Sequence, residues 1–257
     1  MRFFLTIAYD GRPYEGWQSQ RGGNTVQDVL LAALQKIDSG ITQVHGSGRT
    51  DSGVSAEGQV AHFDASEGSS LDAESWPSAL NTKLPPTIRV MHCRLVPNGF
   101  HARFDCVGKI YRYRLWCERV LPPLEHGLTW RVSPGIDINT LRAALTMFQG
   151  EHDFRAFAAN RGDGKDADRD CRRTIQSIRV EAAADRREIA LHFDGSGFLY
   201  KMVRLLVGSA VRHAEHPERL PLSEIQRLLT APAANEKAPI CAPADGLSLV
   251  GVHYAEN

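Results

Sequence analysis

The stretch Gly48-Arg49-Thr50-Asp51-Ser52-Gly53-Val54-Ser55 concentrates the chemistry of this chain. It sets one carboxylate, Asp51, on a glycine-bracketed turn between two apolar runs, with the Arg49 guanidinium two residues earlier. Glycine on both sides permits positive φ and close approach of another backbone. Loops carried by a rigid scaffold are also where reactive groups usually sit. The residues alone leave two readings open: a turn in which Asp51 bonds nearby N–H groups, or a carboxylate presented for reaction. Three other chemistries fail on spacing or composition. A Walker loop needs lysine where Val54 stands, and a dinucleotide fingerprint begun at Gly46 needs glycine where Asp51 stands. A glycosidase needs a second acid, for which Glu57 alone is weak support.

A second group runs from His101 to Arg119, with Arg103, Lys109, Arg112 and Arg114 interleaved among Phe104, Tyr111, Tyr113 and Trp116. On a strand, Tyr111, Tyr113 and Leu115 face one way while Arg112, Arg114 and Trp116 face the other. Such a face either stacks bases while neighbouring cations hold phosphates, or is simply the core side of a strand. No Lys/Arg-Gly-Phe-Gly-Phe motif is present, so the pattern is not that of an ordinary RNA-recognition motif.

The elements that must position these residues repeat once along the chain. Phe3 to Tyr9 alternates as a strand, with Phe3, Leu5, Ile7 and Tyr9 on one face. A helix follows over Thr25 to Ile37, with Asn24 and Gln27 as the expected capping pair. A short strand at Ile41 to His45, the Asp51 turn and a strand Gln59 to Asp64 come next. A helix opening at Asp72, weakened by Pro77, and a strand Ile88 to Val96 close the first unit, a β-α-β-β-α-β plan. The second half gives a strand Ile110 to Cys117 and a helix Asn139 to Phe148 stopped by Gly150. A hairpin of Ile175 to Glu181 with Glu188 to Asp194 follows. Helices Phe198 to His213 and Leu222 to Leu229, then a strand Leu247 to Tyr254, complete it. The expected class is α+β: two ferredoxin-like βαββαβ subdomains, 1–104 and 105–257, whose sheets join into one large, mostly antiparallel sheet. Polar Ala159 to Arg173 lacks apolar periodicity and reads as a long mobile loop, either a solvated excursion or a substrate-contacting flap.

With 257 residues the chain can bury a sizeable core. Lys+Arg and Asp+Glu both number 30, so any nucleic-acid contact must come from a local basic face. Cys93, Cys106, Cys117, Cys171 and Cys241 form no Cys-x-x-Cys pair, which argues against a disulfide framework or a zinc site. His45, His62, His92 and His101 lack metal-ligand spacing and read as structural or surface groups. With no signal-peptide core and no long apolar span, a soluble cytoplasmic protein is expected, without membrane contact.

The Gly48–Val54 block resembles the catalytic motif of the TruA family of tRNA pseudouridine synthases. Tyr9-Asp10-Gly11 with Gly16-Trp17-Gln18, and Phe100-His101-Ala102-Arg103-Phe104 followed by Tyr111-Arg112-Tyr113, resemble other family blocks. So do Phe198-Leu199-Tyr200-Lys201-Met202-Val203-Arg204 with Val207-Gly208, and Ala242-Pro243-Ala244-Asp245-Gly246-Leu247. They occur in family order across nearly the whole chain. The resemblance implies the pseudouridine synthase fold and an isomerase that converts uridine to pseudouridine at positions 38 to 40 of the tRNA anticodon arm. No metal or organic cofactor is implied.

The same resemblance makes Asp51 the group that initiates cleavage of the C1′–N1 bond, by attack at C6 or C1′ or by taking the C2′ proton. It makes Arg204 the buried partner of that carboxylate. Tyr111 becomes the residue that stacks on the uracil, Arg49 the residue that fills the gap left by the extruded base, and Leu247 a wall of the pocket. Arg103 and Lys109, with Arg49 and Arg112, are candidates for the basic face that holds tRNA. The family acts as a homodimer, so one is expected here. Ser55 departs from the family pattern, which usually has histidine there. A non-catalytic RNA-binding protein and an aspartate-dependent hydrolase are the competing readings. The first has no use for the set Arg49, Asp51, Tyr111 and Arg204, and the second lacks a metal cluster or second acid.

Overall fold

The computed structural model describes residues 1–69, 71–160, 162, 169–185 and 187–255. Among them are ten β-strands and five α-helices, an α+β fold of the expected class. The chain divides into two compact units, Met1–Gly108 with Ser248–Asn257, and Lys109–Leu247. Among the described residues no helix is long and apolar enough to cross a membrane.

The first unit follows β1 (Arg2–Tyr9), α1 (Val26–Gln35), β2 (Val44–Gly46), β3 (Ser55–Asp64), α2 (Ser75–Asn81) and β4 (Ile88–Val96). Strand β1 is central, antiparallel to β3 on one side and to β4 on the other. Strand β2 pairs antiparallel with β3. The last strand of the chain, β10 (Leu247–Tyr254), pairs parallel with β3 at Ser248 and Leu249, opposite Ser55 and Ala56. Its place beside the amino-terminal strands is a long-range pairing that chain order does not reveal. The core gathers on the buried face of β1, where Phe3 stacks on Phe63 at 5.5 Å and Trp76 meets Phe63 edge-on at 4.9 Å.

Two helix starts differ from the sequence expectation for local reasons. The cap of α1 is Thr25, whose Oγ1 accepts from the Asp28 amide at 3.2 Å and bonds the Asp28 carboxylate. Asn24 and Gln27 do not cap. Asn24 donates to Pro13 O, and Gln27 ties the helix to Val44 O and to Ser19. A threonine hydroxyl followed three residues later by an acid satisfies the same orphan amides. Helix α2 begins at Ser75 rather than Asp72, which leaves Pro77 in the first turn where its missing N–H costs nothing. Asp72 caps from outside, accepting from the Ser75 amide at 2.8 Å.

The second unit contains most of β5 (Cys106–Trp116), then β6 (Trp130–Arg131), α3 (Ile138–Thr146), β7 (Gly150–Asp153), β8 (Arg172–Ala182), β9 (Glu188–Gly195), α4 (Met202–Glu215) and α5 (Leu222–Thr230). Its antiparallel strands run in the order β5-β9-β8-β7, with two-residue β6 parallel to β5. Ten residues of α4 are buried, and the helix packs against α3 through an apolar face. It starts four residues later than the apolar pattern suggests, because Lys201 takes a left-handed conformation at φ 58°. Of the segment read as a mobile loop, residues 161 and 163–168 lie outside the described residues. Its end is no loop: Arg172 and Arg173 pair with Asp153 and His152 across β7 and β8. Short β6 and β7 carry no periodic pattern and were not expected.

Candidate active site

Asp51 is half-buried on the turn between β2 and β3, and Arg49 beside it is exposed. The turn is held mainly from below by polar groups that sequence reasoning did not single out. Gln59 is fully buried in β3. Its Oε1 accepts from Ser47 Oγ at 2.7 Å, while its Nε2 donates to Gly48 O at 3.1 Å. The Tyr9 hydroxyl shares a 2.8 Å hydrogen bond with Thr50 Oγ1, one residue before Asp51. Burial pushes the Tyr9 phenol up to about 12, so it stays a neutral hydrogen-bonding group at physiological pH. In the sequence this network leaves only a tyrosine on an apolar strand face and a glutamine within another strand, neither of which points to the turn. Buried polar groups of this kind persist only when paired.

The segment between β1 and α1 clamps the other side of the turn. Trp17 N donates to Thr50 O at 3.2 Å, Gly53 N donates to Tyr14 O at 3.3 Å, and Gly11 N donates to Ser55 Oγ at 3.0 Å. Gly16 has φ 92°, and a Cβ there would stand 2.5 Å from Thr50 O; one on Gly11 would stand 2.0 Å from Val54 O. Only glycine permits such approach. The Tyr9–Gly11 and Gly16–Gln18 blocks therefore serve as the bracket of the Asp51 turn. Of the two glycines expected to bend that turn, Gly53 has positive φ, at 80°, and Gly48 does not. Ser55, at the position that departs from the family pattern, has a defined partner in Gly11.

Arg103 belongs to the same unit, exposed on the turn that follows β4, with its guanidinium 5.7 Å from the Phe104 ring. Lys109, Tyr111, Arg204 and Leu247 belong to the second unit. Tyr111 is buried on β5 and meets Phe198 edge-on at 5.1 Å. Tyr111, Tyr113 and Leu115 are the buried set of β5, while Lys109, Arg112 and Arg114 are half-buried. Arg114 is not available for RNA: it binds Glu188 through Nε and Nη2, at 2.7 and 2.8 Å, and Glu125 at 2.9 Å.

Arg204 is half-buried near the start of α4. Its Nε donates to Ala242 O at 2.7 Å, and Ala242 N donates back to Arg204 O at 3.0 Å. The Tyr113 hydroxyl donates to the next carbonyl, Pro243 O, at 2.9 Å. Burial holds that phenol well above its usual range. Together these bonds fasten the strap that leads through Gly246 to Leu247, which is buried at the start of β10. Gly246 turns at φ 85° and accepts from Arg114 N at 3.0 Å. The second unit thus presents a buried tyrosine, an anchored arginine and an apolar wall. The first presents a carboxylate on a braced turn. Among the described residues no group of histidines, cysteines and carboxylates is arranged to hold a metal ion.

Comparison with known proteins adds independent findings. Residues 5–105 and 144–255 match a family model described as tRNA pseudouridine synthase. The chain is 47% identical to tRNA pseudouridine synthase A of Akkermansia muciniphila, over 100% of this chain and 96% of that one. It is 39% identical to the protein of the same name from Maridesulfovibrio salexigens, over 100% and 91%. A Geobacter relative of that name is 36% identical over 98% of each chain.

Proposed function

The chain belongs to the tRNA pseudouridine synthase family, and on that footing we propose that it isomerises uridine to pseudouridine in the anticodon arm of tRNA, at positions 38 to 40. Asp51 initiates cleavage of the C1′–N1 bond. The uracil then turns and rejoins the ribose through C5; the C5 proton leaves and N1 takes one up, so no atom is gained or lost. The observation that carries this reading is the bracing of Asp51, whose turn is held by Gln59, Tyr9, Trp17 and Gly11. A surface turn needs no such support. A carboxylate that must meet a flipped base within a fraction of an ångström does.

The family resemblance supplies the remaining roles. Tyr111 stacks on the uracil, Arg204 acts as the cation assigned to the carboxylate, and Leu247 forms an apolar wall. Arg49 occupies the gap left when the base is extruded, which costs a few kcal/mol of unstacking. Arg103 and Lys109 contribute to phosphate binding. A homodimer in the cytoplasm, working without metal or organic cofactor, is part of the same proposal.

The test is incubation with unmodified tRNA, without added metal, followed by mapping of pseudouridine. Asp51→Asn keeps volume and hydrogen bonding but lacks nucleophilicity and basicity. It should abolish product while tRNA affinity and melting temperature stay near those of the parent. Turnover by Asp51→Asn, with deamidation excluded, would remove Asp51 from the mechanism.

A further inference from the structure

Phe104 alone among the phenylalanines, tyrosines and tryptophans of this chain is exposed, with 74% of its surface open to solvent. Exposing one apolar side chain is ordinary; the way this one is held is not. Its ring lies 4.3 Å from the His101 imidazole at 37°. His101 in turn packs on buried His62 at 4.7 Å, and His45 stacks on His62 at 5.0 Å. A cluster of rings, with His101 edge-on to His62 at 66° and 5.4 Å from His45, therefore backs Phe104 from the core of the first unit.

The turn that carries the ring is closed by its own hydrogen bonds. His101 N donates to Asp105 Oδ2 at 2.8 Å, and Asp105 N donates to His101 O at 3.1 Å. His101 Nδ1 accepts from Arg103 N at 3.1 Å and from Phe104 N at 3.4 Å. His62 Nδ1 accepts from Ala102 N at 3.1 Å. The two imidazoles thus fix the backbone that points Phe104 outward. Burial, with neighbouring positive groups, lowers His101 and takes His62 down to about 4, so both rings are neutral at physiological pH. They offer flat π surface, and the cation at the outer end is Arg103, whose guanidinium lies 5.7 Å from the Phe104 centroid.

We propose that Phe104, backed by His101 and flanked by Arg103, is a stacking platform for an unpaired base of the RNA substrate, with Arg103 on the adjoining phosphate. The proposal rests on the reading of the chain as a tRNA-modifying enzyme. A pre-fixed exposed ring beside a guanidinium is the arrangement by which single-stranded bases are bound without sequence readout. A second copy of the chain is the poorer occupant. Both sequence neighbours of Phe104, Arg103 and Asp105, are charged and exposed, unlike the broad apolar patch that a stable dimer buries.

The test compares Phe104→Ala and Phe104→Trp with the parent, using unmodified tRNA, by direct binding and by steady-state pseudouridine formation. Loss of one stacked base predicts roughly 5- to 150-fold weaker binding for Phe104→Ala, with the loss falling on KM rather than kcat. Phe104→Trp should restore affinity, and its added indole emission should be quenched by tRNA beyond any change in the parent. Unaltered binding by Phe104→Ala, or a loss that tryptophan does not restore, overturns the platform. So does a halved particle mass in sedimentation of Phe104→Ala, which would assign the ring to a copy interface. If the parent modifies tRNA while Phe104→Ala is indistinguishable from it, the activity stands and the platform falls. If the parent makes no pseudouridine yet its tRNA affinity depends on Phe104, the platform stands and the activity falls.

Discussion

The turn that carries Asp51 is held in part through its neighbours Thr50 and Gly48, which bond to Tyr9 and Gln59. Removing the Tyr9 hydroxyl strands Thr50 Oγ1 in the core, since the two share a 2.8 Å bond among buried residues. Tyr9→Phe should therefore cost about 1–3 kcal/mol of unfolding free energy, read by denaturant titration, and lower kcat more than it raises KM. An unchanged kcat would show that the turn keeps its shape without this bond. Gly16→Ala should be harsher, since its Cβ would collide with Thr50 O and the backbone must hold φ 92°. Asp51 stood out in the sequence as one acid on a glycine-bracketed turn, and the family resemblance, not the spacing, gave it a role. Tyr9 and Gln59 were not legible as its support. Tyr9 fits an alternating apolar face, and Gln59 discloses its role only when β2, β3 and β1 are side by side. Sequence spacing names reactive groups; it does not name the polar groups that hydrogen-bond across strands.

Helix ends show the same limit for whole elements. The Thr25 cap predicts that Thr25→Ala loses about 1 kcal/mol, whereas Thr25→Ser keeps most of it, as thermal melts would report. Equal losses for both would mean that the hydroxyl does not cap. Lys201, at φ 58° before α4, is in a conformation that costs an L-residue roughly 1–2 kcal/mol. Lys201→Gly should raise the melting temperature and Lys201→Val should lower it. The opposite order would mean that the lysine side chain contributes more than its backbone strain costs. The long periodic elements β1, β4, β10, α3 and α5 were readable to within about 2–3 residues. Alternation and helical spacing report burial directly. The start of α4 was not, because its apolar run continues back through Phe198 and Leu199, which are packed residues of irregular backbone rather than of a helix. Arg204 belongs to this scale too. The resemblance gives it a buried place beside the Asp51 carboxylate; the structure shows it half-buried near the start of α4, where its bond to Ala242 O ties the helix to the strap before Leu247.

At the scale of the whole molecule, equal numbers of acids and bases mean that RNA affinity must come from local cations. Log affinity for tRNA should fall roughly linearly with log salt, and Arg103→Gln or Lys109→Gln should reduce the slope if these side chains meet phosphates. An affinity indifferent to ionic strength would remove the basic face. The response to acid has a different origin. His62 sits deep in the first unit, where burial first, then the charges of Arg2, His101 and His45, take it from 6.5 down to about 4. Its Nδ1 is already occupied by the Ala102 amide. A histidine that binds its proton less readily when folded makes the unfolded chain the better proton acceptor between these two values. Stability should then be level above pH 6.5 and decline as pH falls from about 6.5 to about 4. Carboxylates follow lower down. Asp64 is held below its ordinary value by the Arg2 hydrogen bond, and Glu236 is taken to about 2 by Arg227. Their stabilisation is present above the unfolded carboxylate range and is lost as pH falls through the folded values. Acid unfolding should accordingly have two stages, and His62→Gln separates them, because its side-chain oxygen can accept from Ala102 but takes no proton. Melting temperatures of the variant should fall less than those of the parent from pH 6.5 to about pH 5, the remaining decline coming from His101, which burial also lowers, and the two should run parallel below pH 4. If the variant keeps the full early decline, His62 is not the group responsible.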